Sequence, residues 1–105
     1  MRVLPNELVL HEIQRYVADM EKDRGFADRS VLQQCLLLGE EVGELFKAVR
    51  KRESLTIGTT SVVGTVDEEL ADILIFVCAI ANRYGVNLEE ALQRKEQLNE
   101  SRAWR

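Results

Sequence analysis

The stretch Thr65-Val-Asp-Glu-Glu-Leu-Ala-Asp-Ile-Leu-Ile-Phe-Val-Cys-Ala-Ile-Ala-Asn-Arg-Tyr-Gly85 decides the fold of this chain. It opens with a threonine three residues before Glu68, which is the spacing of a capping box at the start of a helix. Its middle is apolar nearly all the way round, as is typical of a helix buried among other elements. The closing Tyr-Gly pair is a stop signal. We therefore predict a buried helix over residues 66–83.

Three further segments show a helical period with start and stop signals, and they cover residues 6–22, 30–52 and 88–101. Ser30 and Gln33 repeat the capping-box spacing, and Gly25 is a candidate C-cap. Residues 53–66 are rich in Gly, Ser and Thr and form a connector. No segment alternates convincingly as a strand. The sequence predicts an all-α, antiparallel four-helix bundle that forms one domain over residues 1–105.

Composition narrows the class of protein. The chain has 105 residues, of which 46% are hydrophobic and 30% charged, and its net charge is −4. This charge argues against a nucleic-acid partner, because affinity for phosphate backbones needs a basic surface. The longest apolar run, residues 73–81, is too short to span a membrane. No signal peptide is evident, and Cys35 and Cys78 lie in apolar stretches that suit buried free thiols. We predict a cytoplasmic protein.

Two acidic pairs carry the functional argument. Glu41 and Glu44 are three residues apart in the second helix, and Glu69 and Asp72 are three residues apart in the third. This spacing places both side chains of a pair on one helix face. Such pairs are common on solvated surfaces, but Asp72 lies within the most apolar helix, where an isolated carboxylate is costly. Facing pairs on antiparallel helices would converge on one cavity.

The surroundings of the first pair also differ from a solvated surface. Apolar residues flank it on the same face: Leu37, Leu38, Leu45 and Ala48. Gly39 and Gly43 lie one turn apart in the middle of the helix, where glycine costs about 1 kcal/mol relative to alanine. We expect another backbone or a ligand to approach the helix closely at these glycines.

The ligand chemistry of the four acids favours a hard cation. Carboxylates without a histidine or cysteine cluster suit Mg²⁺ or Mn²⁺ better than zinc or copper. His11 is the only histidine, which excludes the histidine-containing di-iron motif of some helical bundles. The chemistry indicated is phosphoryl or nucleotidyl transfer to water, in which the metal neutralises phosphate charge and activates the nucleophile.

The acidic pattern resembles a known family. Glu41-x-x-Glu44, a gap of 24 residues and Glu69-x-x-Asp72 are similar to the motif of the MazG-like all-α NTP pyrophosphohydrolases. The sequences of residues 39–45 and 68–75 resemble those of the branch that contains dCTP pyrophosphatases. The resemblance implies that the four acids bind Mg²⁺, for which Mn²⁺ could substitute.

The resemblance also implies the reaction. A nucleoside triphosphate would be cleaved between its α- and β-phosphates to give a monophosphate and pyrophosphate, as house-cleaning of the nucleotide pool. A glutamate of the first cluster, Glu40 or Glu41, would orient or deprotonate the attacking water. Family members are dimers or dimers of dimers, and the all-round apolar third helix independently suggests a homodimer or homotetramer.

Substrate contacts follow from the same resemblance. Phe26, in the segment Arg24-Gly-Phe26, resembles an aromatic position that can stack on the base, and Lys95, Asn99 and Arg102 match a pattern that contacts phosphate. Considered alone, Phe26 fits a core position, and the two cations fit an ordinary solvated helix end. The basic run at 50–52 replaces a second pocket aromatic of the dCTP-specific relatives, so the base stays open between a pyrimidine deoxynucleotide and a damaged nucleotide.

Two alternatives remain open at this level. A phosphoribosyl-ATP pyrophosphohydrolase shares the fold and the acid motif, although the Val42-Gly-Glu-Leu45 segment and the pattern of Lys95, Asn99 and Arg102 favour the first interpretation. A non-catalytic helical module that binds metal or nucleotide would keep the bundle and release no pyrophosphate. In a purely structural helix-bundle adaptor, Asp72→Asn would leave the stability unchanged or raise it, because it relieves repulsion among buried acids.

Overall fold

The computed structural model describes residues 9–54 and 63–102, and within these ranges the chain is entirely helical apart from turns. The four helices are α1 (Leu10–Arg24), α2 (Val31–Arg52), α3 (Val66–Arg83) and α4 (Leu88–Arg102). The predicted all-α, antiparallel four-helix architecture is confirmed. The predicted start of the first helix at Asn6 lies outside the described residues. No helix in the described part of the chain is long and apolar enough to cross a membrane.

The helix ends follow the predicted signals. The Ser30 hydroxyl accepts a hydrogen bond from the Gln33 backbone N–H at 3.1 Å, and the Gln33 side chain accepts one from the Ser30 N–H at 2.8 Å, so the capping box is complete. Thr65 accepts from the Glu68 N–H at 3.3 Å, which forms the first half of a second box. Gly25 adopts φ 75° and ends α1 two residues later than predicted, because glycine tolerates the left-handed conformation.

Each helix makes its main contacts with one or two of the others. The most extensive contact is between α2 and α3, and α1 packs against both α3 and α4. The buried core joins α1 to α3 through Val17, Met20, Cys78 and Ala79. Since the carboxylates predicted to act together lie on α2 and α3, the closest helix pair in the fold is the one that positions them.

The side chain of Gln14 in α1 holds the turn between α3 and α4 through hydrogen bonds. Its Oε1 accepts from the Leu88 backbone N–H at 2.8 Å, and its Nε2 donates to the Val86 carbonyl at 2.8 Å and to Asn82 Oδ1 at 3.2 Å. Asn82 returns a hydrogen bond to the Gln14 carbonyl at 2.9 Å. These bonds satisfy polar groups that the turn would otherwise leave unpaired.

The core of the single chain is small. The radius of gyration of the chain is 16.6 Å, which is larger than the value of about 12–13 Å expected for a compact chain of this length. Large apolar side chains are correspondingly exposed on α2 and α3, among them Leu32, Leu36, Phe46, Leu70 and Leu74.

Two expectations about burial are therefore wrong for the isolated chain. The third helix is not covered on all sides, since Leu70 is 51% exposed and Asp72 is exposed as well. Cys35 is exposed, whereas Cys78 is buried as predicted. In both cases the helix has more apolar surface than the other helices of the same chain can cover.

Candidate active site

Three carboxylates meet where α2 faces α3. Oxygen atoms of Glu41, Glu69 and Asp72 all lie within 4.8 Å of one another. We call these three residues the acid trio. Two oxygens on opposite sides of an octahedral Mg²⁺ are about 4.1 Å apart, because the ligand distance is about 2.0–2.1 Å. The spacing of the trio is thus comparable with the size of one coordination shell.

Glu44, the fourth predicted ligand, lies outside the acid trio. It is one turn beyond Glu41 on α2, and its Oε1 is 3.5 Å from Lys47 Nζ. Its negative charge still acts on Glu41. Glu40, predicted as a candidate for water activation, is exposed beside the trio and is not one of its members.

The acid trio is electrostatically unfavourable without a cation. The pKa of Glu41 rises from 4.5 to about 7, first because the carboxyl is partly desolvated, and then through its hydrogen bond with Glu69 and the charges of Asp72, Glu69 and Glu44. Glu69 is 8% exposed, and its buried Oε2 has no hydrogen-bond partner. A buried carboxylate oxygen of this kind needs a compensating charge. A divalent cation with oxygen ligands fits the donor set and would supply that charge.

Gly64 makes room for the acid trio and was missed by the sequence analysis. A Cβ atom at this position would collide with Glu69 Oε1 and approach Glu68 Oε2 to 3.3 Å. By contrast, nothing lies within 4 Å of the Cβ positions of Gly39 and Gly43. The close approach predicted at those two glycines is therefore absent within the single chain, because α2 turns that part of its surface to open space.

A cavity of about 150 Å³ adjoins the acid trio, and Asp72 belongs to both. Its walls come from α1, the turn after α1, α2 and α3, and consist of Met20, Glu21, Arg24, Phe26, Arg29, Gln34, Asp72, Ile75, Phe76 and Ala79. Phe26, the predicted base contact, is among them and also packs against the core. The Arg29 guanidinium lies 3.9 Å from the centre of the Phe26 ring and covers one of its faces.

An ion pair behind the cavity holds its walls in place. Arg83 Nη2 donates to Glu21 Oε2 at 2.6 Å, and Nη1 donates to Oε1 at 2.9 Å. The same guanidinium donates to the backbone carbonyls of Phe26 at 3.1 Å and Arg29 at 2.9 Å. The hydrogen bond with Glu21 raises the pKa of Arg83. The pair therefore anchors the turn that carries the aromatic wall.

Gln34 is the polar residue most deeply buried in the cavity wall. Its side chain is 2% exposed, and its Nε2 donates to Glu21 Oε2 at 3.2 Å. Its Oε1 is buried and has no hydrogen-bond partner among the described residues. Sequence analysis missed Gln34, Glu21 and Arg83, because their pairing joins positions as far as 62 residues apart. A glutamine inside the apolar start of α2 was the one available signal.

The predicted phosphate contacts on α4 are not brought to the cavity within the described residues. Lys95 and Arg102 are exposed, and Asn99 donates a hydrogen bond to Glu96 at 3.1 Å. Their helix packs mainly against α1, and none of the three lines the cavity. A role for these three residues therefore stays a prediction.

Comparisons with known proteins point in one direction. The family model of the MazG nucleotide pyrophosphohydrolase domain matches residues 29–102. The chain is also similar to two crystal structures of iMazG from Vibrio DAT 722. The N-terminally tagged form is 37% identical, with 93% of this chain and 100% of that one covered and a TM-score of 0.65. The C-terminally tagged form is 38% identical, with 89% and 99% covered and a TM-score of 0.64. No curated protein matches significantly.

Proposed function

Because this chain belongs to the MazG nucleotide pyrophosphohydrolase family, and is therefore a hydrolase of nucleoside triphosphates, we propose that it is a Mg²⁺-dependent house-cleaning enzyme. Its products would be a nucleoside monophosphate and pyrophosphate. The main support for the proposal is that Asp72 belongs both to the acid trio and to the wall of the cavity, so that the two are contiguous. A nucleotide can place its phosphates at the former and its base in the latter.

The acid trio would hold the metal. Glu41, Glu69 and Asp72 offer carboxylate oxygens, and Glu44 lies one turn away as the fourth acid of the motif. When bound, Mg²⁺ supplies neutralisation of phosphate charge and activation of water, and Mn²⁺ has a similar preference for oxygen ligands. The unpaired, buried Oε2 of Glu69 supports this assignment, because an acceptor without a donor suits a cation.

The remaining steps belong to the chain's own side chains. Glu41 or its exposed neighbour Glu40 orients the attacking water and takes its proton. The cavity holds the base between apolar walls, with Phe26 on one side. Lys95, Asn99 and Arg102 would contact the phosphates from α4 of another subunit, since they do not line the cavity of their own chain.

We further propose that a second copy of the chain covers the exposed apolar surface of α2 and α3. This surface is defined by Leu32, Leu36, Phe46, Leu70 and Leu74, all more than 40% exposed. Contiguous apolar surface of this kind marks an interaction site, and the small core of the single chain also favours association. A homodimer or homotetramer follows. We also propose that residues 1–105 form one domain. A cytoplasmic location is proposed because free thiols fit a reducing compartment.

Product analysis tests the reaction. Purified protein with Mg²⁺ is incubated with a panel of standard and modified ribo- and deoxynucleoside triphosphates, and the products are separated by chromatography. We expect monophosphate and pyrophosphate, with activity abolished by a chelator and reduced at least about 100-fold by Asp72→Asn or Glu69→Gln, because each removes a metal ligand. Glu68→Gln is the matched control, since Glu68 is exposed on the same turn outside the acid trio.

Other products would redirect the proposal. Diphosphate with orthophosphate would mean that a different bond is cut. Turnover of phosphoribosyl-ATP alone would assign the chain to that narrower substrate, and metal binding without any turnover would leave a binding module. For the assembly, sedimentation should give a mass of at least two chains, and Leu70→Glu should reduce it to one.

A further inference from the structure

We propose that Lys47 binds the pyrophosphate portion of the substrate, so that the β- and γ-phosphates lie along α2 beyond the acid trio. This inference rests on the proposed function and assigns one further binding residue to the same site. Its starting point is an ion pair, in which Lys47 Nζ lies 3.5 Å from Glu44 Oε1. The pair places a cation directly beside the fourth acid of the motif.

The features of the site follow one another along α2. Gln34 lines the cavity, and Glu41, further along the helix, belongs to the acid trio. Arg52 lies at the end of α2, where its charge acts on Asp67 at the start of α3. A nucleotide with its base in the cavity and its α-phosphate at the acid trio therefore extends its other two phosphates towards the end of α2.

Lys47 is the only basic residue of α2 and α3 that lies outside their last turns. Cations in a last turn are favoured by the helix dipole, and this effect falls off within one turn. It accounts for the basic residues at the end of α2, which are Arg50, Lys51 and Arg52. Arg83 ends α3 and is paired with Glu21. Lys47 lies before the last turn, so the dipole does not explain its charge.

Lys47 is placed to reach a phosphate next to the acid trio. It follows Glu41 at a distance of about 9 Å along the helix axis, since each residue advances 1.5 Å. Helical side chains lean towards the N-terminus of their helix, which here is the direction of the acid trio. Glu44, whose Oε1 lies beside Lys47 Nζ, is near enough to Glu41 for its charge to act there. An ammonium has three donors, so Lys47 can keep Glu44 and still donate to phosphate oxygens.

The charge around the acid trio calls for a cation at this position. The segments 40–44 and 68–72 of the two helices contain acids and no basic residue. A divalent cation offsets two negative charges, and a triphosphate brings several more. Proteins hold phosphate groups with cations that donate charge-assisted hydrogen bonds. Lys47 supplies both the charge and the donors on the side of the acid trio where the leaving group would lie.

The test is equilibrium binding of inorganic pyrophosphate, measured by calorimetric titration in the presence of Mg²⁺. Lys47→Met keeps an apolar stem and removes the charge, and should weaken this binding about tenfold or more, as expected for the loss of one hydrogen bond to a charged group. The affinity for a nucleoside monophosphate should stay nearly unchanged. Lys47→Arg should retain most of the pyrophosphate affinity. Lys22→Met removes the same charge from an exposed position of α1 and, as the control, should change neither affinity.

Several outcomes would overturn the inference. If Lys47→Met leaves pyrophosphate binding unchanged, or if Lys22→Met weakens it equally, Lys47 forms only an ordinary surface ion pair. Equal losses of pyrophosphate and monophosphate affinity would indicate a general change in the site, and a parent protein that does not bind pyrophosphate would exclude the contact. In each case pyrophosphate release from nucleotides, measured separately, still supports the proposed function. Absence of pyrophosphate release from every nucleotide refutes the proposed function itself and the inference with it.

Discussion

Replacing Glu41 by glutamine should stabilise the metal-free protein at alkaline pH. The pKa of Glu41 is raised from 4.5 to about 7 in the folded chain, so the folded state holds this proton more tightly than the unfolded state. Its stabilising contribution is complete below pH 4.5 and is lost as the pH rises through about 7. A glutamine mimics the protonated form at every pH and keeps the contribution.

The magnitude follows from the size of the pKa shift. One pKa unit corresponds to about 1.36 kcal/mol, and the rise from 4.5 to about 7 sets an upper limit of ~3 kcal/mol. Glu41 is only partly buried, and solvent screening reduces the repulsion, so we expect a gain of about 1–3 kcal/mol at pH 8. At pH 4.5 or below the variant and the parent should be nearly equal.

Urea unfolding in the presence of a chelator measures this difference at pH 4.5 and pH 8. Glu40→Gln is the control, because Glu40 is the exposed neighbour outside the acid trio. Saturating Mg²⁺ should then stabilise the parent more than Glu41→Gln, since the variant lacks one ligand. The reasoning is refuted if Glu41→Gln is less stable than the parent at pH 8 without metal, or if Glu40→Gln gives the same gain.

Three other predictions concern the packing of the chain. Gly64→Ala should weaken Mg²⁺ binding by about tenfold or more, because it displaces Glu69; calorimetric titration checks this, and an unchanged metal affinity would contradict it. In a monomeric form of the protein, where Gly39 faces open space, Gly39→Ala should raise the free energy of unfolding in urea by about 0.5–1 kcal/mol. Arg83→Met should cost about 3–5 kcal/mol by leaving Glu21 as an uncompensated charge. The double variant with Glu21→Leu should recover most of that loss in urea unfolding, and failure to recover it would show that the loss comes from the turn and not from the charge.

The sequence was sufficient to predict what depends on neighbouring residues. The helix over residues 66–83 was predicted to the residue, and the caps at Ser30 and Gly25 are local patterns that form without reference to the rest of the chain. The pairing of Glu41 with the Glu69 and Asp72 pair needed one further assumption, that the second and third helices are adjacent and antiparallel. That assumption is safe for consecutive helices.

Features that depend on distant residues could not be predicted in this way. The Glu21–Arg83 ion pair and the buried Gln34 join three helices, and no local period marks them. Burial was overestimated for Asp72 and Cys35 for the related reason that an apolar surround indicates that a helix will be covered, but not whether its own chain covers it. Gly64 is significant only because of the position of the Glu69 side chain.

The contacts of α1 show that the folded unit extends beyond the residues that the family model matches. The family model begins at residue 29, after this helix, yet α1 supplies Val17 and Met20 to the core and Glu21 to the ion pair. A fragment trimmed to residues 29–102 would retain every acid of the motif and still lack the support that shapes the cavity. Anyone grafting, fusing or recombining this domain should therefore set the junction before α1 and not at the edge of the recognisable motif.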